Sequence, residues 1–332
     1  MSAGAKFTRE TTAQVAAEAF GDRIKGRFVV VTGTSPGGIG YEAARAIATQ
    51  GPRLLVLASR DQAKLDTARA DILKETPSAS ISTVVLDLDS QAATRRAAAD
   101  IAALGDPDVL INNAAIMMNP YTTTADGLES QFGTNYVGPW LLTALLLPAL
   151  LRTPAPRVVV VASAGHRSSD IRWDDIGFSA GAAYAKRAAY GQSKTGNVLH
   201  ALALAEKFGD KGLTAVSLHP GVINTNLSRF LTTEDFGALA AFFNDDGSPK
   251  DVSLWKTIPQ GAATTVTAAF DPRWEKHNGT YLADSQIAPD LPEDTGIDLG
   301  AGGMSYIVPY AKDKKSALRL WDLTNKLVGE NF

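Results

Sequence analysis

The stretch Thr32–Gly40, TGTSPGGIG, holds four glycines and follows the apolar run Phe28-Val29-Val30-Val31. Glycine lets backbone approach a phosphate closely, and the N-terminus of a following helix offers unpaired N–H groups to an anion. The spacing Gly33, Gly37, Gly38, Gly40 is not GxGxxG, and Pro36 donates no hydrogen bond, but Pro36-Gly37 makes a tight turn at little cost. Between a strand and the helix-like Ile39–Gln50 the stretch reads as a turn for a dinucleotide pyrophosphate; a plain surface turn is the alternative. Past the next apolar run, Leu54–Ala58, stand Ser59, Arg60 and Lys64. A guanidinium there suits a 2′-phosphate, where an acid would take ribose hydroxyls, so NADP(H) is favoured over NAD(H). A solvated charge at a helix start is the competing reading. Tyr190 and Lys194 lie four apart, which on a helix puts a phenol and an ammonium one turn apart on one face.

Groups so far apart in sequence need a scaffold that gathers them. Phe28–Val31, Leu54–Ala58, Ile81–Leu86, Val109–Ile111, Val158–Val161 and Leu213–Leu218 read as buried strands. Between them lie the alanine-rich segments Ile39–Gln50, Gln62–Glu75, Gln91–Leu104 and Gly127–Leu151, rich in strong helix formers. This alternation predicts an α/β chain: one doubly wound Rossmann-type domain, with a parallel sheet covered by helices on both faces. Its core would span residues 26–222. The mixed segment 224–259 looks like an insertion over the carboxyl edge of the sheet, and 290–332 is an extension with a helix at Lys314–Val328. In such a sheet a ligand lies outside the carboxyl ends of the strands. Ser163, Asn135, Asn112-Asn113-Ala114-Ala115 and His219-Pro220-Gly221 all fall at that edge.

Bulk properties narrow the field. A formal net charge of −3 gives no reason to expect nucleic acid or an anionic membrane as partner. With no cysteine, thiolate chemistry and disulfides are excluded, which is compatible with a cytoplasmic location. The N-terminus has no apolar signal-peptide region. The most apolar window, Val137–Leu151, is shorter than the ~20 residues of a membrane span and holds Pro139 and Pro148, so it reads as a core helix. Four scattered histidines make no metal site.

Taken together, the glycine turn, Asn112–Ala115, Asn135, Ala162-Ser163-Ala164-Gly165-His166-Arg167, Arg172-Trp173-Asp174-Asp175, Tyr190–Asn197 and Gln260–Thr265 resemble the short-chain dehydrogenase/reductase family. The resemblance runs from about Gly26 to Leu282. It is closest to the retinol-dehydrogenase-like branch that includes the catalytic part of WW-domain oxidoreductases, though no WW module is present. It implies a catalytic set of Asn135, Ser163, Tyr190 and Lys194. Tyr190 would be general acid in ketone reduction and general base in alcohol oxidation. Lys194 would favour the phenolate and bind the nicotinamide ribose. Ser163 would hold the substrate oxygen, and Asn135 a water relaying protons to Lys194. The implied cofactor set is Gly33, Ser35, Gly38, Ile39, Gly40, Ser59, Arg60, Lys64, Asp87, Leu88, Asn112, Ala114, Lys194, Pro220, Gly221, Ile223 and Thr225. Asp87 would accept from the adenine amino group, with a helix cap as its alternative. Two departures stand out: four residues, not three, separate Gly33 from Gly38, and Ala115 replaces the usual glycine. An outward bulge at Ser35-Pro36 would leave Gly38 and Gly40 in their usual places.

These readings define an NADP(H)-dependent carbonyl reductase or alcohol dehydrogenase acting on a hydrophobic small molecule, as monomer or homodimer. Met117, Trp173, Phe178 and Leu227 are pocket candidates, with Met118 and Tyr121 nearby. The apolar stretch Leu227–Phe243 would form a lid. Two other functions compete: a nucleotide-sugar epimerase or dehydratase, and a Rossmann scaffold that senses nucleotide or serves a non-redox reaction.

Overall fold

The computed structural model describes residues 7–230, 255–292 and 305–332. The chain opens with α1 (Ala13–Ala19), started by the Thr12 hydroxyl, which accepts the Val15 N–H. Then come β1 (Phe28–Thr32), α2 (Ile39–Ala48), β2 (Leu54–Ser59), α3 (Gln62–Glu75), β3 (Ile81–Val85), α4 (Gln91–Ala103) and β4 (Val109–Asn112). After a loop, a short turn of helix at Ser130–Phe132 and a π-helical segment at Gly133–Val137 lead into α5 (Gly138–Leu150). β5 (Arg157–Val161), α6 (Lys186–Phe208), β6 (Thr214–His219) and β7 (Val222–Ile223) follow. The last elements are β8 (Trp255–Lys256), α7 (Ile258–Phe270), β9 (Tyr281–Ala283), β10 (Gln286–Ile287) and α8 (Lys314–Val328).

Among the described residues the main sheet has eight strands in the order β10-β9-β6-β5-β4-β1-β2-β3. All its pairings are parallel except the β9–β10 hairpin. Strand order reverses at β1, which pairs β2 on one side and β4 on the other. The apolar runs are continuous because both faces are covered. Phe28 and Val30 of β1 join one core with Trp140 and Leu199, while Val29 and Val31 join a second core with Ala43, Ile47 and Val266. The doubly wound architecture expected from the strand–helix alternation is thus the one observed.

Three features depart from the sequence pattern. The helix expected at Gly127–Leu151 begins at Ser130, because the Glu129 carboxylate caps it by accepting the Gln131 and Phe132 N–H groups (2.8 Å each). It is then broken by the π segment, where the Gly138 N–H reaches the Gly133 carbonyl. Second, α1, α7, β9 and β10 add to the expected set. Third, the C-terminal helix is an integral part of the core. Trp321 of α8 packs edge-on against Trp140 of α5 (4.8 Å between ring centroids), and Thr324 shares a hydrogen bond with the Tyr136 hydroxyl (2.7 Å). Of the insertion at 224–259, residues 231–254 lie outside the described residues, and with them most of the expected lid. Its two ends are joined by a small parallel sheet, β7 with β8.

Candidate active site

A cleft of about 1350 Å³ runs along the carboxyl edge of the sheet, over the point where strand order reverses. That exceeds the ~300–1,000 Å³ usual for one small ligand. The glycine loop forms one wall. Thr32 ends β1, and its hydroxyl accepts the Asn113 and Ala114 N–H groups (3.0 and 3.1 Å). The Asn113 amide returns a bond to the Thr32 carbonyl (2.9 Å), so the β1 and β4 loops are fastened together. Gly33 adopts φ +74°, and a Cβ there would fall 2.7 Å from the Ala114 Cα. Ser35-Pro36-Gly37-Gly38 forms a turn closed by the Gly38 N–H on the Ser35 carbonyl (3.1 Å), with Gly37 at φ +78°. Proline second and a positive-φ glycine third is the pattern of a type II turn. The extra residue is absorbed there: the Cβ direction of Gly37 faces open space, and Gly38 caps α2. Gly33, Ser35, Pro36, Gly37, Gly38 and Ile39 all line the cleft, so the turn at Ser35-Pro36 borders it instead of bulging away. Gly40 lies beneath it, where a Cβ would collide with the Asn113 amide and fall 2.7 Å from the Gly33 carbonyl oxygen.

Ser59, Arg60, Lys64, Asp87 and Leu88 line one end. The Ser59 hydroxyl is buried without a protein partner. Asp61 also faces this end, and its carboxylate caps α3 by accepting the Lys64 N–H (3.1 Å). Asp87 does not cap α4; Ser90 does, accepting the Ala93 N–H. The Asp87 carboxylate instead accepts the Asp89 N–H (3.1 Å).

Asn112 requires correction. It is the last residue of β4 and its side chain points into the core, donating to the Thr143 hydroxyl (2.8 Å); Asn113 and Ala114 line the cleft in its place. Asn135 also lies behind the wall. Its amide accepts the Ile116 N–H (2.8 Å) and donates to the Ile116 carbonyl (2.9 Å) and the Ser193 hydroxyl (3.0 Å). The side chain's donors and acceptor are thus engaged with protein. These bonds tie the Ile116 backbone to Ser193 of α6, and Asn135 itself lies in the π segment.

Ser163, Tyr190 and Lys194 do converge. Ser163 follows β5, and its hydroxyl accepts the Gly165 N–H (3.0 Å) and is hydrogen-bonded with the Tyr190 phenol. Gly165 has no room for a side chain: a Cβ would sit 2.7 Å from the Tyr190 ring. The Lys194 Nζ lies 5.7 Å from the centre of that ring and donates to the Val161 carbonyl (3.0 Å). Burial pushes the Tyr190 phenol up to about 12, the Ser163 bond opposing it, and pulls the Lys194 ammonium down to about 7. The lowering of the phenol expected from its lysine is not seen: burial raises it, only the Ser163 bond opposes, and Tyr190 is held in its protonated form. Two histidines brace Ser163. His219 Nδ1 accepts the Ala164 N–H (3.1 Å), and His166 Nδ1 meets the Ser163 carbonyl (2.7 Å). Burial pulls their pKa down to about 3 and about 4, so both are neutral at pH 7.

Pro220, Gly221, Ile223, Thr225 and Leu227 line the far end, with Met117 and Met118. Gly221 (φ +106°) lies against the Lys256 side chain, which is ion-paired with Asp284. Trp173 and Phe178 are not pocket walls. Trp173 packs beneath the Arg319 guanidinium (4.1 Å to the ring centre) and Phe178 is fully buried beside Tyr184. Tyr121 stacks edge-on with Tyr184 instead of facing the cleft. Arg9, Thr134 and Arg229 line it without having been singled out in the sequence.

A glycine turn at the reversal of strand order, and a serine–tyrosine–lysine trio across the cleft, fit one family, and over residues 27–235 the chain matches its model, described as short chain dehydrogenase. The chain belongs to the short-chain dehydrogenase family of oxidoreductases, which act on alcohol and carbonyl groups. It is 36% identical over 313 residues to the short-chain dehydrogenase/reductase prx1 of Penicillium roqueforti, covering 92% of this chain and 86% of that protein. It is 32% identical over 308 residues to human retinol dehydrogenase 12, covering 92% and 88%. Among solved structures, an uncharacterized Mycobacterium paratuberculosis protein superposes with a TM-score of 0.68 at 29% identity, over 93% of this chain and 96% of that one. No described helix is long and apolar enough to cross a membrane.

Proposed function

We propose that the chain is an NADP(H)-dependent oxidoreductase that interconverts a ketone or aldehyde and an alcohol on a hydrophobic small molecule. The observation that carries this reading is the Ser163–Tyr190–Lys194 cluster in the cleft that the glycine turn also lines. The residues present fit a dinucleotide: a glycine turn at the start of α2, packed so closely that Gly33 and Gly40 admit no Cβ, and a buried Ser59 hydroxyl without a protein partner. When bound, the nicotinamide supplies or takes the hydride.

Tyr190, kept protonated by burial, gives its phenolic proton to the carbonyl oxygen in reduction and takes it back in oxidation. Ser163 holds that oxygen through its hydroxyl. Lys194 binds the nicotinamide ribose hydroxyls and recharges the phenol, and its pKa near 7 lets it exchange a proton at neutral pH. Asn135 acts as a positioning residue. Gly33, Ser35, Gly38 and Ile39 hold the pyrophosphate at the start of α2. Asp87 accepts from the adenine amino group, with Leu88 and Ala114 against the adenosine. Ile223 and Thr225 hold the carboxamide beside Pro220 and Gly221.

Arg60 and Lys64 favour NADP(H) by pairing with the 2′-phosphate, Arg60 through its planar fork. Met117, Met118 and Leu227 support an apolar substrate, as does the retinol of the relative's name. The test follows NADPH consumption over a panel of aliphatic and aromatic ketones. Wild type should consume NADPH, and Tyr190→Phe should lose about 10²–10⁴-fold in kcat while binding NADPH as before. A wild type that binds NADPH but reduces nothing across the panel would favour the scaffold reading.

A further inference from the structure

The N-terminal arm precedes the matched family region, which begins at residue 27, yet one of its side chains, Arg9, lines the cleft. The arm is fastened at three points. Gln286 Nε2 donates to the Phe7 carbonyl (2.9 Å), Gln260 Nε2 to the Glu10 carboxylate (2.7 Å), and the Arg9 guanidinium to the Trp255 carbonyl (3.3 Å). Phe7 packs on Phe20 behind it (5.3 Å between centroids). These bonds hold Arg9 beside β8, at the N-terminal end of α7. α7 packs against α2, the helix that begins at the glycine turn, and the starts of both helices line the cleft with Arg9.

The charge on this wall is uneven. Arg9, Lys256 and Asp284 line it; Asp284 is paired with Lys256 and also faces the Arg9 charge, which leaves two cations to one acid. Glu10 approaches Arg9 at 4.0 Å, but it is largely exposed and does not line the cleft. The Arg9 side chain is only 28% exposed although it carries a full charge. One of its five N–H groups is used on Trp255, and an arginine fork suits two phosphate oxygens.

We propose that the arm completes the dinucleotide site: Arg9 binds the diphosphate from the α7 side of the cleft. The inference rests on the dinucleotide-binding reading above. It separates two kinds of cation, Arg60 reading the 2′-phosphate and Arg9 the diphosphate common to both nicotinamide cofactors.

Dissociation constants of wild type, Arg9→Ala, Arg9→Lys and Arg60→Ala for NADPH and NADH test it, with thermal melting as a check on folding. Arg9→Ala should weaken both cofactors by the same factor, about tenfold, as expected for one lost charge-assisted bond. Their ratio should not change, and Arg9→Lys should restore part of the loss. Adenosine 2′-monophosphate, which has no diphosphate, should compete equally well against wild type and Arg9→Ala. Unchanged affinity for both cofactors, with or without a lower melting temperature, would leave Arg9 as a fastener of the arm and overturn the proposal. A loss confined to NADPH, or weaker competition by the monophosphate, would overturn it by moving Arg9 to the 2′-phosphate. A wild type that binds neither cofactor would instead remove the dinucleotide reading itself, and this inference with it.

Discussion

Replacing Lys194 with methionine should abolish turnover and make the protein more stable. Lys194 is 2% exposed, and burial pulls its ammonium from 10.5 to about 7. The unfolded chain then binds more protons than the folded one between pH 7 and 10.5. The resulting cost is full below pH 7 and vanishes as pH rises through 10.5. At about 1.4 kcal/mol per tenfold change in proton affinity, it comes to roughly 4–5 kcal/mol. Methionine removes it and forfeits about 1 kcal/mol for the bond to the Val161 carbonyl. That carbonyl keeps a donor, Asn197 Nδ2 at 3.3 Å, so no buried acceptor is orphaned. The net expectation at pH 7 is a gain of about 3 kcal/mol. Urea unfolding from pH 7 to 9.5 measures it: wild type should gain about 1.4 kcal/mol per pH unit that the variant does not. The range stops there because the buried Tyr190 phenol, held up near 12, begins to oppose folding above pH 10. A variant less stable than wild type at pH 7, or two curves of equal slope, would show that solvent or protein already compensates the ammonium.

Other perturbations probe separate parts of the molecule. Arg60→Ala should lower the preference for NADPH over NADH by about 10–100-fold, measured as a ratio of dissociation constants. Gly40→Ala pushes a methyl against the Gly33 carbonyl and the Asn113 amide, so it should cost about 1–3 kcal/mol in urea unfolding and weaken cofactor binding. His166, His200 and His219 are buried with pKa values pulled down to about 4, 3 and 3. Their unfolded forms bind protons first, so stability is intact above pH 6.5 and should fall below it. The slope should approach about 4 kcal/mol per pH unit, read by denaturation at pH 7 and pH 5.5. Trp321→Ala should cost about 3–5 kcal/mol by emptying the α8–α5 contact.

The sequence carried the central sheet well because both its faces are buried, which makes each strand an unbroken apolar run. Lys314–Val328 was legible from end to end because its apolar positions recur at helical spacing. β9 and β10 were not, since strands of three and two residues carry no period; they exist because β6 offers an edge. The glycine turn and Ser163 were legible because they follow strand ends, and Tyr190 and Lys194 because they stand one helical turn apart at family spacing. What failed was side-chain direction. Asn112 closes a strand where the pleat turns it to the core, and Asn135 sits on a π segment that no propensity announces. Trp173 and Phe178 lie between Ser163 and Tyr190 in sequence, but the positive φ values at Phe178, Ser179 and Ala180 fold that loop back on itself, away from the cleft. Arg9 was invisible because an arm's docking depends on partners some 250 residues away, a separation that no local pattern encodes.

The late position of α8 bears on how the chain is made. The helices it covers, α5 and α6, are complete at Phe208, and α8 begins at Lys314. At about 5–20 residues per second, roughly a hundred residues of synthesis leave Tyr136 and Trp140 without their lid for about 5–20 s. The catalytic helix is thus born with one flank greasy and uncovered on the ribosome. Chaperone occupancy of nascent chains should rise once α6 has emerged and fall when α8 does.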